Sequence, residues 1–276
     1  MKHNFGKYDV PPTLQVLIDL EKMLDDKEHF YYGLNFYLSL TNFRYFNTPS
    51  DVIVFGNNGM DGIHYGFLTD YSSVAELENA PIVCVSPMDF DQPTCIIAKN
   101  LRDFLRINSE DSALFYNDFT TEESYLETKK RWEMEALNSP YPPSEQELSI
   151  RKHVMNVLNE HVELPIIDNP YNYIQNIRSD REKKTSIQTQ DGLGVTATIL
   201  PHETHISFPI HKNSELDLSS LDTYLTTEST ASKQALFRDI QLHYVLSDEP
   251  LLQELIVKSM KNMGLDDEAS RLVEDF

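Results

Sequence analysis

Four of the chain's nine glycines fall within eleven residues, and this cluster constrains the fold more than any other part of the sequence. The glycines are Gly56, Gly59, Gly62 and Gly66, separated partly by asparagine and aspartate. These residue types tolerate turn and left-handed conformations. A short apolar, mostly β-branched run, Val52 to Phe55, precedes the cluster, and apolar side chains alternate between residues 63 and 68. The pattern predicts two strands joined by a tight turn.

Two more strands and a helix are predicted after this pair. The apolar runs Ile82 to Val85 and Cys95 to Ala98 have the length and composition of strands. Asn100 is the expected N-cap of a helix, with Asp103 near the positive end of its dipole. Residues 51–106 therefore predict an α+β fold, in which a mainly antiparallel sheet is flanked by helices.

Several short motifs follow one another in a fixed order through this region. They are Thr48-Pro49-Ser50-Asp51, Phe55-Gly56, Gly59-Met60-Asp61-Gly62, His64-Tyr65-Gly66-Phe67-Leu68-Thr69-Asp70, Pro81-Ile82-Val83, Pro87-Met88-Asp89, Ala98-Lys99-Asn100-Leu101 and Asp103-Phe104-Leu105. Together they resemble the SUKH superfamily, which includes bacterial immunity proteins against secreted toxins and fungal regulators of cell-wall glucan synthesis. The resemblance implies a SUKH-like sheet and a non-enzymatic role in binding another protein. That role is toxin neutralisation in the bacterial branch and regulatory scaffolding in the fungal branch.

The chain continues far beyond the region of resemblance. We expect residues 1–110 to form the SUKH-like core unit and residues 111–276 to form a helical, hairpin-containing α+β extension. No Gly/Ser-rich linker separates the two parts. The extension therefore either packs as part of one domain or forms a second domain.

Local signals predict the elements of the extension. Capping-box patterns at Thr120–Glu123 and Ser144–Glu147 each predict the start of a helix. Between residues 185 and 200 the period returns to two around Asp191-Gly192, which predicts a hairpin. Residues 202–210 are expected to add a third strand.

Charge limits the partners that the chain can bind. Its 44 acidic and 23 basic residues give a formal net charge of −21. Nucleic acid is not expected as a direct ligand, because phosphate binding needs a basic patch that the sequence nowhere concentrates. Anionic membrane surfaces are not expected for the same reason.

No apolar run approaches the roughly 20 residues that cross a bilayer, and the N-terminus lacks a signal-peptide core, so we expect a cytoplasmic protein.

Cysteine is used sparingly. Cys84 and Cys95 are the only two, and both lie in predicted strands, where cysteine behaves as a small buried hydrophobic residue. We expect both thiols to be reduced, as in a cytoplasmic protein.

The sequence indicates no cofactor or metal. The glycine cluster precedes a strand rather than a helix, and its spacing fits neither the dinucleotide nor the Walker motif. His202, His205 and His211 lack the HExxH spacing, and Pro209 interrupts the extended run, so we expect no metal there. A hydrolase or metal-dependent enzyme with a site in residues 185–211 is the chief alternative function. A structural or regulatory scaffold is the second alternative.

The turns at the strand ends are the expected partner-binding surface, because loops present side chains without disturbing the sheet. Carboxylates beside an aromatic ring suit a basic target such as a toxin domain that cuts nucleic acid. Charge would steer the encounter, and the ring would supply contact area. The sequence indicates no oligomeric state. The predicted residues are Asp61, His64, Tyr65, Asp70, Tyr71, Asp89 and Asp91.

Overall fold

The structure is a computed structural model that describes residues 2–41, 43–89, 91–200, 204–210, 216–243, 246 and 249–273. A five-stranded sheet lies at its centre, with the strands side by side in sequence order and each neighbouring pair antiparallel. The strands are β1 (Tyr37–Leu38), β2 (Val52–Asn57), β3 (His64–Leu68), β4 (Ile82–Val85) and β5 (Thr94–Ala98). Strands β2 to β5 are the four that the sequence predicts, and the expected α+β class is confirmed.

Helices make up most of the rest of the described chain. Before and directly after the sheet these are α1 (Lys2–Phe5), α2 (Pro12–Met23), α3 (Lys27–Leu34) and α4 (Leu101–Asp111), with short 3-10 turns at Leu77–Asn79 and Ser112–Phe115. The later helices are α5 (Glu122–Leu137), α6 (Glu145–His161), α7 (Pro170–Lys184), α8 (Leu218–Thr227), α9 (Thr230–Leu242), α10 (Pro250–Asn262) and α11 (Asp266–Leu272). None of the helices in the described ranges has both the length and the apolar character that crossing a membrane would require.

Both faces of the sheet are buried, because both sets of alternating side chains are apolar. One face, which includes Phe55 and Tyr65, packs with side chains of α2, α3, α4 and α6 in the largest core. The opposite face, which includes Val54 and Val83, is covered by Ile177 of α7 and by Leu193. Helix α7 also covers the outer edge of β5, where Arg178 Nε donates to the Ile96 carbonyl at 3.5 Å.

The packing continues across the boundary expected near residue 110. Tyr125, Val154, Leu158, Tyr171 and Ile174 lie beyond that boundary and belong to the same core as the sheet. Helices α8 to α11 enclose a second core of their own, and Tyr71, from the segment after β3, is inserted into it.

The expected hairpin at residues 185–200 is much reduced. The Asp191-Gly192 turn forms, with Gly192 at φ 83°, but a single β-bridge between Ile187 and Val195 is all the pairing among these residues. Ile187 and Val195 instead pack against Ala231 and Ala235 of α9. The segment gains apolar contact with a helix in place of a longer ladder.

Two other local predictions need correction. The third strand expected at residues 202–210 is absent from the described part, residues 204–210, which form no strand. The first capping box of the extension is formed by Thr121 and Ser124, one residue later than expected. The second, Ser144 with Glu147, is confirmed.

Candidate functional site

The turn between β2 and β3 is built by its asparagines and glycines. Asn57 and Asn58 accept hydrogen bonds from backbone N–H groups inside the turn, at 3.0 and 2.9 Å. Gly62 has a φ of 71°, and an added Cβ there would lie 2.5 Å from the Tyr45 ring. This close packing fixes the turn and leaves Met60 and Asp61 at its exposed tip, Met60 being 52% exposed.

The turn between β4 and β5 is held by an aspartate. Ser86 N–H donates to the Pro93 carbonyl at 2.7 Å and closes the base of the turn. Asp89 Oδ1 accepts from the backbone N–H groups of Asp91 and Gln92 at 3.1 and 3.2 Å. The carboxylate of Asp89 therefore shapes the turn, as expected of a turn aspartate. Met88 is 66% exposed, and Asp89 and Asp91 are also exposed.

These two turns lie at the same end of the sheet. In an antiparallel order β2-β3-β4-β5, the β2–β3 and β4–β5 connections fall at one end and the β3–β4 connection at the other. Neighbouring strands are about 4.8 Å apart, so the centres of the two turns lie about 10 Å apart. We call this surface the acidic-methionine face; it consists of Met60, Asp61, Met88, Asp89 and Asp91.

His64 lies beneath this face rather than on it. The residue is completely buried. Its Nδ1 lies 2.7 Å from the Gly62 carbonyl, and its Nε2 lies 3.0 Å from Thr48 Oγ1. Burial lowers the pKa of His64 to about 4, because the charged imidazolium is poorly solvated there. His64 supports the turn and cannot present a charge to a partner.

Tyr65 is also internal, which corrects its placement at a surface. Its ring is fully buried among Phe36, Phe104 and Phe115. Burial raises the pKa of its hydroxyl well above the ordinary value. The residue is therefore part of the core and has no exposed atom with which to bind a partner.

Asp70 and Tyr71 lie at the opposite end of the sheet, on the β3–β4 connection. Both arginine Nη atoms of Arg181 contact the Asp70 carboxylate, each at 2.6 Å. Tyr71 is buried, and its hydroxyl donates to the Gln234 carbonyl at 3.1 Å. The predicted surface is therefore divided: Asp61, Asp89 and Asp91 are exposed at one end, while Asp70 and Tyr71 are engaged at the other.

A buried ionic cluster occupies this second end. Arg238 of α9 is fully buried and contacts Asp51 at 2.7 Å and Asp191 at 3.2 Å, with Asp70 3.7 Å away. The Arg238 guanidinium also lies 5.3 Å from the centre of the Tyr71 ring. Burial raises the pKa of Asp51 to about 6, although Arg238 opposes the shift. Because Arg238 belongs to α9 and Asp51 directly precedes β2, the cluster joins the C-terminal helices to the sheet.

The histidine region presents one contact of chemical interest. His205 Nε2 lies 3.2 Å from Ser207 Oγ, and His205 Nδ1 lies 2.9 Å from Ser232 Oγ. His202 and His211 lie outside the described residues, so the expectation about their metal binding stays a prediction. Within the described ranges, no three His, Cys, Asp or Glu side chains are grouped closely enough to hold a metal ion.

Two cavities of about 370 Å³ each flank helix α7. The first lies between α7 and the 188–193 segment and is bordered by Cys95, Gln175 and Arg178. The second lies between α7 and β5 and has an apolar floor that includes Ile96 and Ile177.

No protein-family model matches the chain, and a search of curated proteins finds no match.

The site residues that the sequence did not predict are Met60 and Met88. Their positions inside glycine- and aspartate-rich turns were the available signal, since a large apolar residue at a turn tip has no core to enter.

Proposed function

We propose that this protein is a non-enzymatic protein-binding module of the immunity type, which binds and neutralises a basic toxin effector through the acidic-methionine face. The observation that carries the proposal is the composition of this sheet end. Two exposed methionines stand in turns about 10 Å apart, with three exposed carboxylates beside them.

Each part of the face has a physical role in association. Methionine is flexible and polarizable, and it is enriched in the contact area of protein interfaces. Met60 and Met88 would supply the desolvated centre of the interface. Asp61, Asp89 and Asp91 would form its charged rim, which speeds encounter with a cationic surface. The formal net charge of −21 adds a long-range attraction toward the same cationic surface.

The motif resemblance supports the same proposal. The resemblance to the SUKH superfamily includes both turns, through Gly59-Met60-Asp61-Gly62 and Pro87-Met88-Asp89. Toxins that cut nucleic acid tend to present basic active-site clefts. An acidic face with an apolar centre is complementary to such a cleft.

The test is a binding experiment with charge-neutral variants that keep the turn geometry. Asparagine retains the side-chain oxygen with which Asp89 shapes its turn, and it tolerates the φ of 49° at Asp61. The triple variant Asp61→Asn, Asp89→Asn, Asp91→Asn should bind an inactivated product of the neighbouring reading frame about tenfold more slowly at low salt. Its association rate should also depend less on ionic strength. Surface plasmon resonance over a salt series measures both quantities.

The matched control changes the net charge equally at another place. Glu127→Gln, Glu133→Gln, Glu135→Gln removes three exposed carboxylates from α5. It should slow association much less than the triple asparagine variant. Met88→Ala should chiefly raise the dissociation rate, because it removes contact area rather than charge. Equal effects of the two triple variants, or unchanged dissociation in Met88→Ala, would place the interface elsewhere.

A hydrolase is the second candidate function, because one observation favours it. Ser207, His205 and Ser232 form a chain of hydrogen-bonding contacts at 3.2 and 2.9 Å, an order that matches nucleophile, base and orienting group. Labelling of Ser207 by a fluorophosphonate, lost in His205→Gln, would support this function. The proposed binding function requires no such labelling.

A further inference from the structure

The two cysteines face each other across neighbouring strands. Cys84 of β4 and Cys95 of β5 are direct partners in the antiparallel register, and both are free thiols. Both side chains pack with the largest core, where Cys95 Sγ also contacts the Phe115 carbonyl at 3.6 Å. Opposed residues in antiparallel strands have Cα atoms about 4.5–5.5 Å apart, and disulfides span Cα separations of about 4.4–6.8 Å. The Cα separation expected for this register therefore lies within the range that a disulfide spans.

The environments of the two thiols differ. Cys84 is buried, with its Sγ 4.0 Å from Ser86 Oγ. Cys95 is only partly buried, lies on the edge strand and borders the cavity that also contains Arg178. The neighbouring Cys84 thiol, helped by the Arg178 charge, lowers the pKa of Cys95, whereas burial raises the pKa of Cys84. Cys95 is therefore the more exposed and the more readily ionised of the two thiols.

We propose that Cys84 and Cys95 form a reversible modification site, at which a hydroperoxide oxidises the two thiols to a disulfide. Cys95 is the attacking group, since it borders the cavity through which a small oxidant can approach. Cys84 is the resolving group, since it is buried and lies directly opposite Cys95 in the strand register.

The chemistry balances in two steps. The Cys95 thiolate attacks the terminal, hydrogen-bearing oxygen of the hydroperoxide; an S–O bond forms and the O–O bond breaks. The departing oxygen takes up the proton that the Cys95 thiol released and leaves as an alcohol or water. The Cys84 sulfur then attacks the Cys95 sulfenic acid; an S–S bond forms, the S–O bond breaks, and the hydroxyl leaves as water with the Cys84 proton. Two thiols lose two electrons in total, and the hydroperoxide gains them.

The bridge would close the base of the β4–β5 turn. Residues 85–94 lie between the two cysteines and include Met88, Asp89 and Asp91 of the acidic-methionine face. A disulfide at this position restricts the turn, because it holds the two strands together directly before and after it. The modification site stands whether or not that face binds a toxin.

The test uses the reduced full-length protein and hydrogen peroxide at neutral pH. A few equivalents of peroxide should remove both thiols per chain, lower the intact mass of the chain by about 2 Da and form no disulfide between chains. Peptide mapping should find Cys84 joined to Cys95, and dithiothreitol should restore both thiols. Amide hydrogen exchange of the non-proline residues among 85–89 and 91–94 should slow in the oxidised protein.

Three variants assign the roles. Cys84→Ser should stop at the sulfenic acid, which dimedone traps on Cys95, while Cys95→Ser should leave Cys84 unmodified. Arg178→Gln should slow the alkylation of Cys95 by iodoacetamide at pH 7, because less of the thiol is then ionised. Retention of both thiols in the wild-type protein, a bridge between chains, or equal reactivity of Cys84 in Cys95→Ser would overturn the proposal. The wild-type measurement decides the matter even where a variant does not fold.

Discussion

The imidazole of His64 is fixed in one neutral tautomer by its two neighbours. A carbonyl only accepts, so Nδ1 must carry the proton that it donates to Gly62 O at 2.7 Å. Nε2 is then an acceptor, and the Thr48 hydroxyl donates to it at 3.0 Å. Thr48 in turn accepts from the Tyr45 backbone N–H at 2.8 Å. A buried histidine thus ties the 45–48 segment to the turn that bears Met60 and Asp61.

This burial makes the free energy of unfolding depend on pH. The pKa of His64 is about 4 in the folded protein and near 6.5 in the unfolded chain, so the unfolded chain binds the extra proton between these values. The stability that neutral His64 provides is therefore complete above pH 6.5 and is lost as the pH falls toward 4. The destabilisation by His64→Gln, measured by urea unfolding, should shrink by about 2 kcal/mol between pH 7.5 and pH 5.

The matched control is His153→Gln, which makes the same substitution at an exposed histidine of α6. A His64→Gln destabilisation that stays constant across this pH range would mean that the ring is reached by water in solution. Each variant is compared with the wild-type protein at the same pH, so the pH dependence of stability that comes from Asp51 and Asp239 cancels. Burial raises the pKa of each of these carboxyl groups to about 6, which favours the folded protein as the pH falls and so opposes the effect of His64.

At the level of elements, the helix that follows the sheet begins as the sequence predicts. Asn100 has an extended backbone, and its side-chain oxygen accepts from the Asp103 backbone N–H at 2.9 Å. Asp103 also accepts a hydrogen bond from the Tyr173 hydroxyl of α7. At the start of α4, Asp103 therefore links the Asn100 cap to α7, the helix that covers the opposite face of the sheet.

Replacing this cap should destabilise the protein. Asn100→Ala should lower the free energy of unfolding by about 0.5–2 kcal/mol, because it leaves a helix N–H group without its acceptor. Asn100→Ser should restore most of the loss, since serine is also a good N-cap. Urea denaturation midpoints of the three proteins provide the measurement. Equal midpoints for Asn100→Ala and the wild-type protein would contradict the role of this side chain.

The elements that sequence patterns predicted well are those set by local chemistry. Strand alternation and N-caps such as Asn100 and Ser144 depend on residues within about one turn or strand of each other. The hairpin at residues 185–200 failed for a long-range reason. Asp191 faces Arg238 of α9, and Ile187 packs on the same helix, so tertiary contacts replace strand pairing. No local pattern could have revealed which helix would cover these side chains.

The same limit explains the division of the predicted site. Alternation correctly gave the turns, and it placed Asp61, Asp89 and Asp91 in them. The burial of His64 and Tyr65 follows from the apolar character of both sheet faces. Tyr71 is covered by helices more than 150 residues later in the chain, through contacts such as that with Gln234. Motif spacing carries no information on contacts of this range.

At the scale of the whole molecule, Arg238 holds the C-terminal helices to the sheet. Its guanidinium contacts Asp51, which directly precedes β2, although the two residues are 187 positions apart. Arg271 of α11 reaches the same segment and donates to the Ser50 carbonyl at 2.7 Å. One short stretch before β2 is therefore the anchor for two helices of the second core.

Removal of Arg238 should have a large effect because it leaves Asp51 charged and buried. Asp51 Oδ2 receives hydrogen bonds from Arg238 and from the Tyr71 N–H, and Oδ1 has no hydrogen-bond partner among the described residues. Arg238→Leu should therefore destabilise the protein by about 3–5 kcal/mol. Arg102→Leu breaks a partly exposed pair with Glu78 and should cost about 1 kcal/mol or less.

The double variant Arg238→Leu, Asp51→Asn distinguishes the ionic contribution from lost packing. The neutral amide that replaces the carboxylate needs no counter-charge, so the double variant should be more stable than Arg238→Leu alone. Acid should have a similar effect on the single variant. The pKa of Asp51 is already raised to about 6 by burial, and loss of Arg238 raises it further. Because the folded Asp51 then binds its proton more tightly than the unfolded chain, Arg238→Leu should gain stability relative to the wild-type protein as the pH falls from 8 to 5. Urea unfolding of the four proteins of this cycle at both pH values measures the coupling. If Asp51→Asn gives no recovery and the destabilisation by Arg238→Leu is the same at both pH values, then the guanidinium anchors the second core by packing rather than by charge.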